Sequence, residues 1–204
     1  MYEFQSVLNI FRENYKEIPL EIFSKNPYKA LISTLMSSRT NDDTTLPAAT
    51  RLFERAANLK QLRSLTTKEI ENLIYPVGFY KTKARHIKQL ASKMKKKGDK
   101  IPNTREGLMA LPGVGRKTAN LVLNRAFGKP AIAVDTHVHR ISNLLGWVDT
   151  KTPQETEREL LRIIPRKYWS EINMLFVSMG RQCRSTEKLK LFLDRILDTK
   201  NPQA

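Results

Sequence analysis

Apolar residues recur in this chain at intervals of three and four, the period of one helix face, with polar residues filling the gaps. Tyr28, Leu31, Ile32, Leu35 and Met36 form one such stripe, Ala48, Leu52, Phe53 and Ala56 a second, and Ile172, Leu175, Phe176 and Met179 a third. Leu189, Phe192, Leu193 and Ile196 make a fourth near the C-terminal end. The two-residue alternation of a half-buried strand is scarce, so the periodicity predicts an all-α fold. Pro27, Pro47, Pro76, Pro102, Pro112, Pro130, Pro153 and Pro165 punctuate these segments. They are expected at helix boundaries or first turns, where the missing N–H leaves no hydrogen bond unmade. A chain of 204 residues can bury a sizeable core, as one compact domain or as two small lobes, and no internal repeat is evident.

One segment departs from plain amphipathic helix. LPGVG, residues 111–115, lies between a helix expected from about Thr104 and a second expected over Arg116 to Phe127, which reads as helix-hairpin-helix. Two glycines flank one apolar residue, so the chain can turn tightly and leave backbone N–H groups uncovered by side chains. Such a turn can hold a phosphate. Lys117 falls in the first turn of the second helix, and Asn120 and Asn124 share its expected polar face, opposite Ala119, Val122, Leu123 and Ala126. A helix N-terminus and the neighbouring Arg116 both oppose added positive charge, which favours the neutral, nucleophilic amine. Asp135 lies eighteen residues beyond Lys117, after the apolar run Ala131 to Val134, at or near the N-cap of the next helix. Taken singly, such a lysine is a solvated charge and such an aspartate a cap. A bare hairpin also serves in binding modules with no catalytic activity.

Composition narrows the partner. Thirty-six Lys and Arg against 20 Asp and Glu give a formal charge of +16, which favours a polyanion and steered association. Nine of the basic residues, Lys81, Lys83, Arg85, Lys88, Lys93, Lys95, Lys96, Lys97 and Lys100, fall in one stretch whose sole acid is Asp99. Tyr80, Ala84, Ile87 and Ala91 can supply an inward stripe there, so Lys81 to Lys88 is expected to present its bases to phosphate. Lys95 to Lys97 alone also reads as a solvated surface loop. The single Cys183 forms no internal disulfide. With neither a secretory leader nor an apolar stretch of membrane length, an intracellular protein is expected, cytoplasmic or nucleoid-associated.

The stretch LPGVGRKTANLVLNRAFGKPAIAVDTHVHR, Leu111 to Arg140, resembles the core of the endonuclease III family, in the helix-hairpin-helix superfamily of base-excision DNA glycosylases. The likeness extends through YKALISTLMSSRTND, Tyr28 to Asp42, and YPVGFYKTKARHI, Tyr75 to Ile87, and so covers most of the chain. It implies a two-lobed all-α glycosylase fold, with a helical domain at residues 21–130 and a second lobe from residues 1–20 and 131–204. It further implies that Lys117 is the nucleophile of a bifunctional glycosylase and abasic-site lyase, and that Asp135 assists it. The amine would attack the sugar C1′, and β-elimination from the resulting Schiff base would break the strand. The substrate implied is double-stranded DNA with an abasic site or a damaged base, oxidised pyrimidines foremost, and a monomer is expected.

The same resemblance places Arg39 in the space left by the flipped nucleotide, and Val77 and Phe79 at an apolar wedge. Lys81, Lys83, Leu111, Gly113, Val114, Gly115, Arg116, Thr118 and His137 complete the expected DNA-binding set. A monovalent cation on the carbonyls of Leu111 and Val114 is a further implication. Two departures stand out. The family typically ends in four cysteines that hold a [4Fe–4S] cluster, but one thiolate cannot supply four ligands, so no cluster and no other cofactor are expected. The fourth apolar stripe could close the lobe instead. Arg39 stands where the family commonly has glutamine, which changes both donor pattern and charge. Two other readings stay open. One is a monofunctional glycosylase that removes uracil or thymine opposite guanine, against which Lys117 argues and for which Arg39 leaves room. The other is a non-catalytic helix-hairpin-helix DNA-binding protein, which a lone hairpin fits and Lys117 with Asp135 does not.

Overall fold

Side chains that accept from backbone N–H groups open most of the helices. Asn26, Asn41, Asn58, Thr104 and Asp135 each cap the turn that follows, and Thr66 and Thr152 form capping boxes with Glu69 and Glu155. A computed structural model describes residues 2–95 and 98–200, with backbone alone at 197–200. Among them run α1 (Phe4–Glu13), α2 (Pro27–Ser37), α3 (Asp42–Arg55), α4 (Leu59–Ser64), α5 (Thr67–Ile74) and α6 (Tyr80–Lys95). There follow α7 (Arg105–Met109), α8 (Arg116–Phe127), α9 (Thr136–Leu144), α10 (Pro153–Ile163), α11 (Trp169–Gln182) and α12 (Thr186–Lys200). Two short 3-10 turns, Pro19–Phe23 and Arg166–Tyr168, join them, and no strand occurs among the described residues. The all-α expectation is met.

Pro27 and Pro153 take first-turn positions, as expected. Pro47 does not. It lies inside α3, where its ring removes one intrahelical hydrogen bond. The helix continues because Ala48, Ala49, Leu52 and Phe53 are buried beyond it, and their packing outweighs the local penalty.

The chain divides into two compact units, one of Met1–Ile18 with Pro130–Ala204 and the other of Pro19–Lys129. In the second, α2 packs against α3, α8 and α6, and α5 packs on α6. Leu31, Ile32, Leu35 and Met36 meet Ala84, Ile87, Leu90 and Met94 of α6 and Leu111, Ala119 and Val122 of the hairpin region in one core. The first unit builds its core from Val7, Leu8 and Phe11 of α1, Val138 and Ile141 of α9, and Ile172, Leu175 and Phe176 of α11. Phe11 meets Phe176 edge to face at 5.2 Å between ring centroids. From α12, Leu189 and Leu193 are fully buried in this core, with Phe192 and Ile196 packed at its margin.

Removal of the Leu193 side chain should therefore be felt by the whole unit. Leu193→Ala is expected to lower unfolding free energy by about 2–5 kcal/mol, the range for a fully buried leucine. Urea unfolding followed by circular dichroism reads it. A curve that overlays the parent's would mean that α12 is not part of the core.

Candidate functional site

The hairpin is held from below and bare above. Leu111 and Val114 are buried and anchor the turn in the core, and the Val114 N–H donates to the Leu111 carbonyl at 3.2 Å. Gly113 has φ +75°, and a Cβ there would fall 2.6 Å from Nδ1 of His86 on α6. Glycine is thus required twice, by the backbone angle and by the ring beneath it. Gly115 differs. It is the N-cap of α8 with φ −90°, and a Cβ on it would meet open space. No side chain caps α8, in contrast to the helices above, so its first turn keeps the polarity that attracts an anion.

Arg116 and Lys117 are exposed on this first turn, whereas Thr118 is buried. Asn120 departs from the expected polar face. It is fully buried, and its Oδ1 accepts from Nε of Arg105 at 2.9 Å, so it ties α8 to α7 rather than standing beside Lys117. The reason is that α8 is enclosed by both α2 and α7, which leaves it a narrow solvent face.

On α6 the basic row is less free than its sequence implies. Lys81 and Arg85 are exposed, but Lys83 is only 6% exposed. Its Nζ donates to the carbonyls of Met36 at 2.7 Å and Ser38 at 2.5 Å and to Oγ1 of Thr40 at 3.2 Å. Lys83 therefore does not face phosphate. Its position lies three residues past Tyr80 and four before Ile87, on the inward stripe, and its aliphatic stem runs along that stripe to reach oxygen. Burial pushes its ammonium down to about 8. Lys88 likewise donates to the carbonyls of Arg63 and Leu65, both at 2.6 Å, and Lys93 to that of Ala110 at 2.6 Å. Lys96 and Lys97 lie outside the described residues.

The expected wedge pair also separates. Val77 is fully buried in the core and cannot reach a duplex, because the turn after α5 points it inward. Phe79 is 63% exposed at φ +57°. Arg39, also exposed and at φ +54°, holds its guanidinium carbon 5.8 Å from the Phe79 ring centroid. The Gly78 N–H donates to Thr40 Oγ1 at 3.1 Å, which joins the two turns that carry them.

In the other unit, Ala131 to Val134 are buried, and Nδ2 of Asn173 on α11 donates to the Ala133 carbonyl at 2.9 Å. That buried run delivers Asp135 to the start of α9, where its Oδ1 accepts from the N–H groups of His137 and Val138, both at 2.9 Å. The N-cap expectation holds. Gly180 of α11 lies against the His137 ring so closely that a Cβ would be 2.2 Å from Nδ1. The hydrophobic stripe of α11 gave no sign of this contact. Lys117 belongs to one unit and Asp135 to the other.

A [4Fe–4S] cluster does not fit the donors present. Cys183 is the one cysteine of the chain, and burial pushes its thiol up, away from the thiolate that iron binds. Among the described residues, no group of three or more His, Cys, Asp or Glu is placed to hold a metal ion. No helix of the described residues is long and apolar enough to cross a membrane.

Comparison with known proteins matches residues 32–166 to the HhH-GPD superfamily of base excision DNA repair proteins. Endonuclease III of Thermotoga maritima is 44% identical over 172 residues, which cover 84% of this chain and 81% of that protein. A non-covalent endonuclease III–DNA complex superposes with TM-score 0.79 at 34% identity, covering 94% of this chain and 95% of its own. A trapped endonuclease III–DNA covalent intermediate with an estranged adenine gives TM-score 0.77 at 34% identity, over 91% and 89%.

The two hairpin glycines should respond differently to a methyl group. Gly113→Ala is expected to lose about 1–3 kcal/mol of stability through its positive φ and the His86 contact. Gly115→Ala should melt like the parent, yet bind damaged and undamaged duplexes alike more weakly, because its methyl stands where a phosphate would approach. Thermal melting with fluorescence anisotropy separates the two. Equal melting of Gly113→Ala and parent would contradict the turn described, and undiminished affinity in Gly115→Ala would remove phosphate from the hairpin.

Proposed function

We propose that this chain, which belongs to the endonuclease III family of helix-hairpin-helix base excision DNA repair proteins, excises damaged bases and cleaves the strand through a Schiff base on Lys117. The observation that carries the reading is the exposed Lys117 on the uncapped first turn of α8, directly behind the LPGVG turn. The likeness to a trapped covalent endonuclease III–DNA intermediate supports it. The hairpin amides would take a backbone phosphate and Arg116 would add charge beside it, which brings a sugar within reach of the amine. A damaged base unstacks with less work than a normal one, so extrusion itself contributes to selection.

The neutral amine of Lys117 forms a bond to C1′ as the glycosidic bond breaks and its electron pair leaves with the base. Asp135 stabilises the positive charge that develops at the sugar and helps take the amine proton. Ring opening gives the protonated Schiff base, which acidifies the C2′ hydrogen. Loss of that proton expels the 3′ phosphate, and water then hydrolyses the imine and frees the lysine. No step needs an electron donor or acceptor. Oxidised pyrimidines in duplex DNA are the proposed substrates, handled by an intracellular monomer without an iron–sulfur cluster.

Borohydride trapping on an end-labelled abasic duplex tests the assignment. The parent should trap, and Lys117→Gln should not, while its duplex affinity stays within about threefold because phosphate contacts are made elsewhere. Asp135→Asn should fold normally, since asparagine also caps well, and trap at least roughly a hundredfold more slowly. Undiminished trapping in Lys117→Gln would assign the chemistry to another amine. Parent-like rates in Asp135→Asn would leave Asp135 a cap alone. The same anaerobically purified protein should contain no stoichiometric iron, and about four iron atoms per chain would overturn the cluster-free reading.

A further inference from the structure

Three exposed residues other than glycine in the unit that carries the hairpin, Arg39, Phe79 and Asp99, stand on backbone that L-residues rarely adopt, and the first two are drawn together. Arg39 and Phe79 have φ of +54° and +57°, and they come from separate turns, one after α2 and one before α6. A positive φ is unfavourable for such residues and persists only where surrounding contacts fix it. The fixing contacts converge on one buried ammonium. Lys83 Nζ reaches the carbonyls of Met36 and Ser38 on either side of the α2 terminus, and Oγ1 of Thr40 just beyond Arg39. That same Oγ1 accepts from the N–H of Gly78, next to Phe79. A Cβ on Gly78 would lie 3.0 Å from Thr40 Oγ1 and 3.1 Å from the Arg39 carbonyl, so the two turns touch at their backbones.

We propose that Lys83 is a positioning residue that locks the Arg39 and Phe79 turns together, so that guanidinium and ring enter the duplex as a single preset unit. This rests on the DNA-repair reading above. The chemistry suits the task. Phe79 offers a flat apolar face that can replace lost stacking, and Arg39 offers donors to the base left unpaired. Neither works if the turns drift, since a misplacement of about 1 Å can cost roughly a hundredfold in rate. An ammonium with three oxygen partners holds both turns in a way that no apolar side chain of similar length can. Lys83 itself touches no substrate.

The test uses the full chain with two substrates. Lys83→Met keeps the stem and removes the charge, and Thr40→Val keeps the shape and removes the shared oxygen. Each is expected to lower base excision from a duplex by about tenfold or more, yet to trap on single-stranded abasic DNA within about twofold of the parent, because a single strand needs no wedge. Thr40→Ser, which retains the oxygen, should restore excision. Binding to an abasic duplex with 2-aminopurine opposite the site reads insertion directly, and the fluorescence rise of the parent should be lost in Lys83→Met. Phe79→Ala should then add little on the Lys83→Met background, as coupled residues do.

Equal losses on both substrates that track the melting temperature would overturn the proposal and leave Lys83 a structural residue only. So would a full fluorescence rise in folded Lys83→Met or Thr40→Val. A parent protein that neither binds the abasic duplex nor traps on either substrate would instead sink the DNA-repair reading, and this proposal with it.

Discussion

Enclosure of α2 is the constraint from which the second unit follows. Every residue from Tyr28 to Met36 except Lys29 is buried, including Ser33 and Thr34, so this helix has no solvent face to spare. A helix apolar nearly all round must be covered on all sides, and α3, α6 and α8 supply the cover. Two segments of the proposed site hang on that arrangement. The start of α8 carries Lys117 at the end of a helix fixed along α2, and the end of α2 delivers Arg39. The terminus of a helix also leaves carbonyls with no intrahelical partner, and an ammonium from α6 meets the buried one of Met36 and that of Ser38. Lys83 is thus the answer to a requirement that α2 creates.

Features set by local chemistry were legible in the sequence. The extent of α8, the start of a helix near Thr104 and the N-cap role of Asp135 depend on residues within one helical turn of each other, and the structure agrees with all three. The family, too, was legible, from motifs spread over most of the chain. What the sequence hid depends on neighbours far along it. The inward stripe of α6 is wider than Tyr80, Ala84, Ile87 and Ala91, because α2, α4 and α5 all press on that helix. Lys83 falls within the wider stripe, and only its position between Tyr80 and Ile87 hinted at this. Asn120 and Val77 were misplaced for the same reason, each read on a free surface that another element covers. Pro47 erred the opposite way, a local rule overridden by packing.

In the first unit α12 is joined to the core by buried apolar area. A cluster cross-links chain segments through four bonds at one point. Here α12 supplies Leu189 and Leu193 to the core, each fully buried, and each such side chain contributes about 1.5–3 kcal/mol of transfer free energy. The Cys183 carbonyl accepts from Nη2 of Arg140 on α9 at 2.9 Å, so the turn into α12 is tied down by the backbone at that residue rather than by its sulfur. A distributed contact of this kind spreads the attachment of α12 over several side chains.

Two lysines of the second unit, Lys83 and Lys117, separate perturbation from the reactivity proposed above. A shifted titration is often taken to mark a catalytic group, and Lys83, pushed down to about 8, would be selected on that basis. Yet the shift arises from burial, and burial is what denies the amine a path to any sugar carbon. Its donors are already committed to three oxygens of the α2 terminus. A nucleophile has to be neutral at the moment of attack and also open to the substrate before it. Lys117 is open, on a helix end that a bound phosphate and an extruded nucleotide would cover, so its desolvation would come with the substrate rather than precede it. Access therefore outranks perturbation in choosing between them, and the buried lysine is left to join the turns of Arg39 and Phe79.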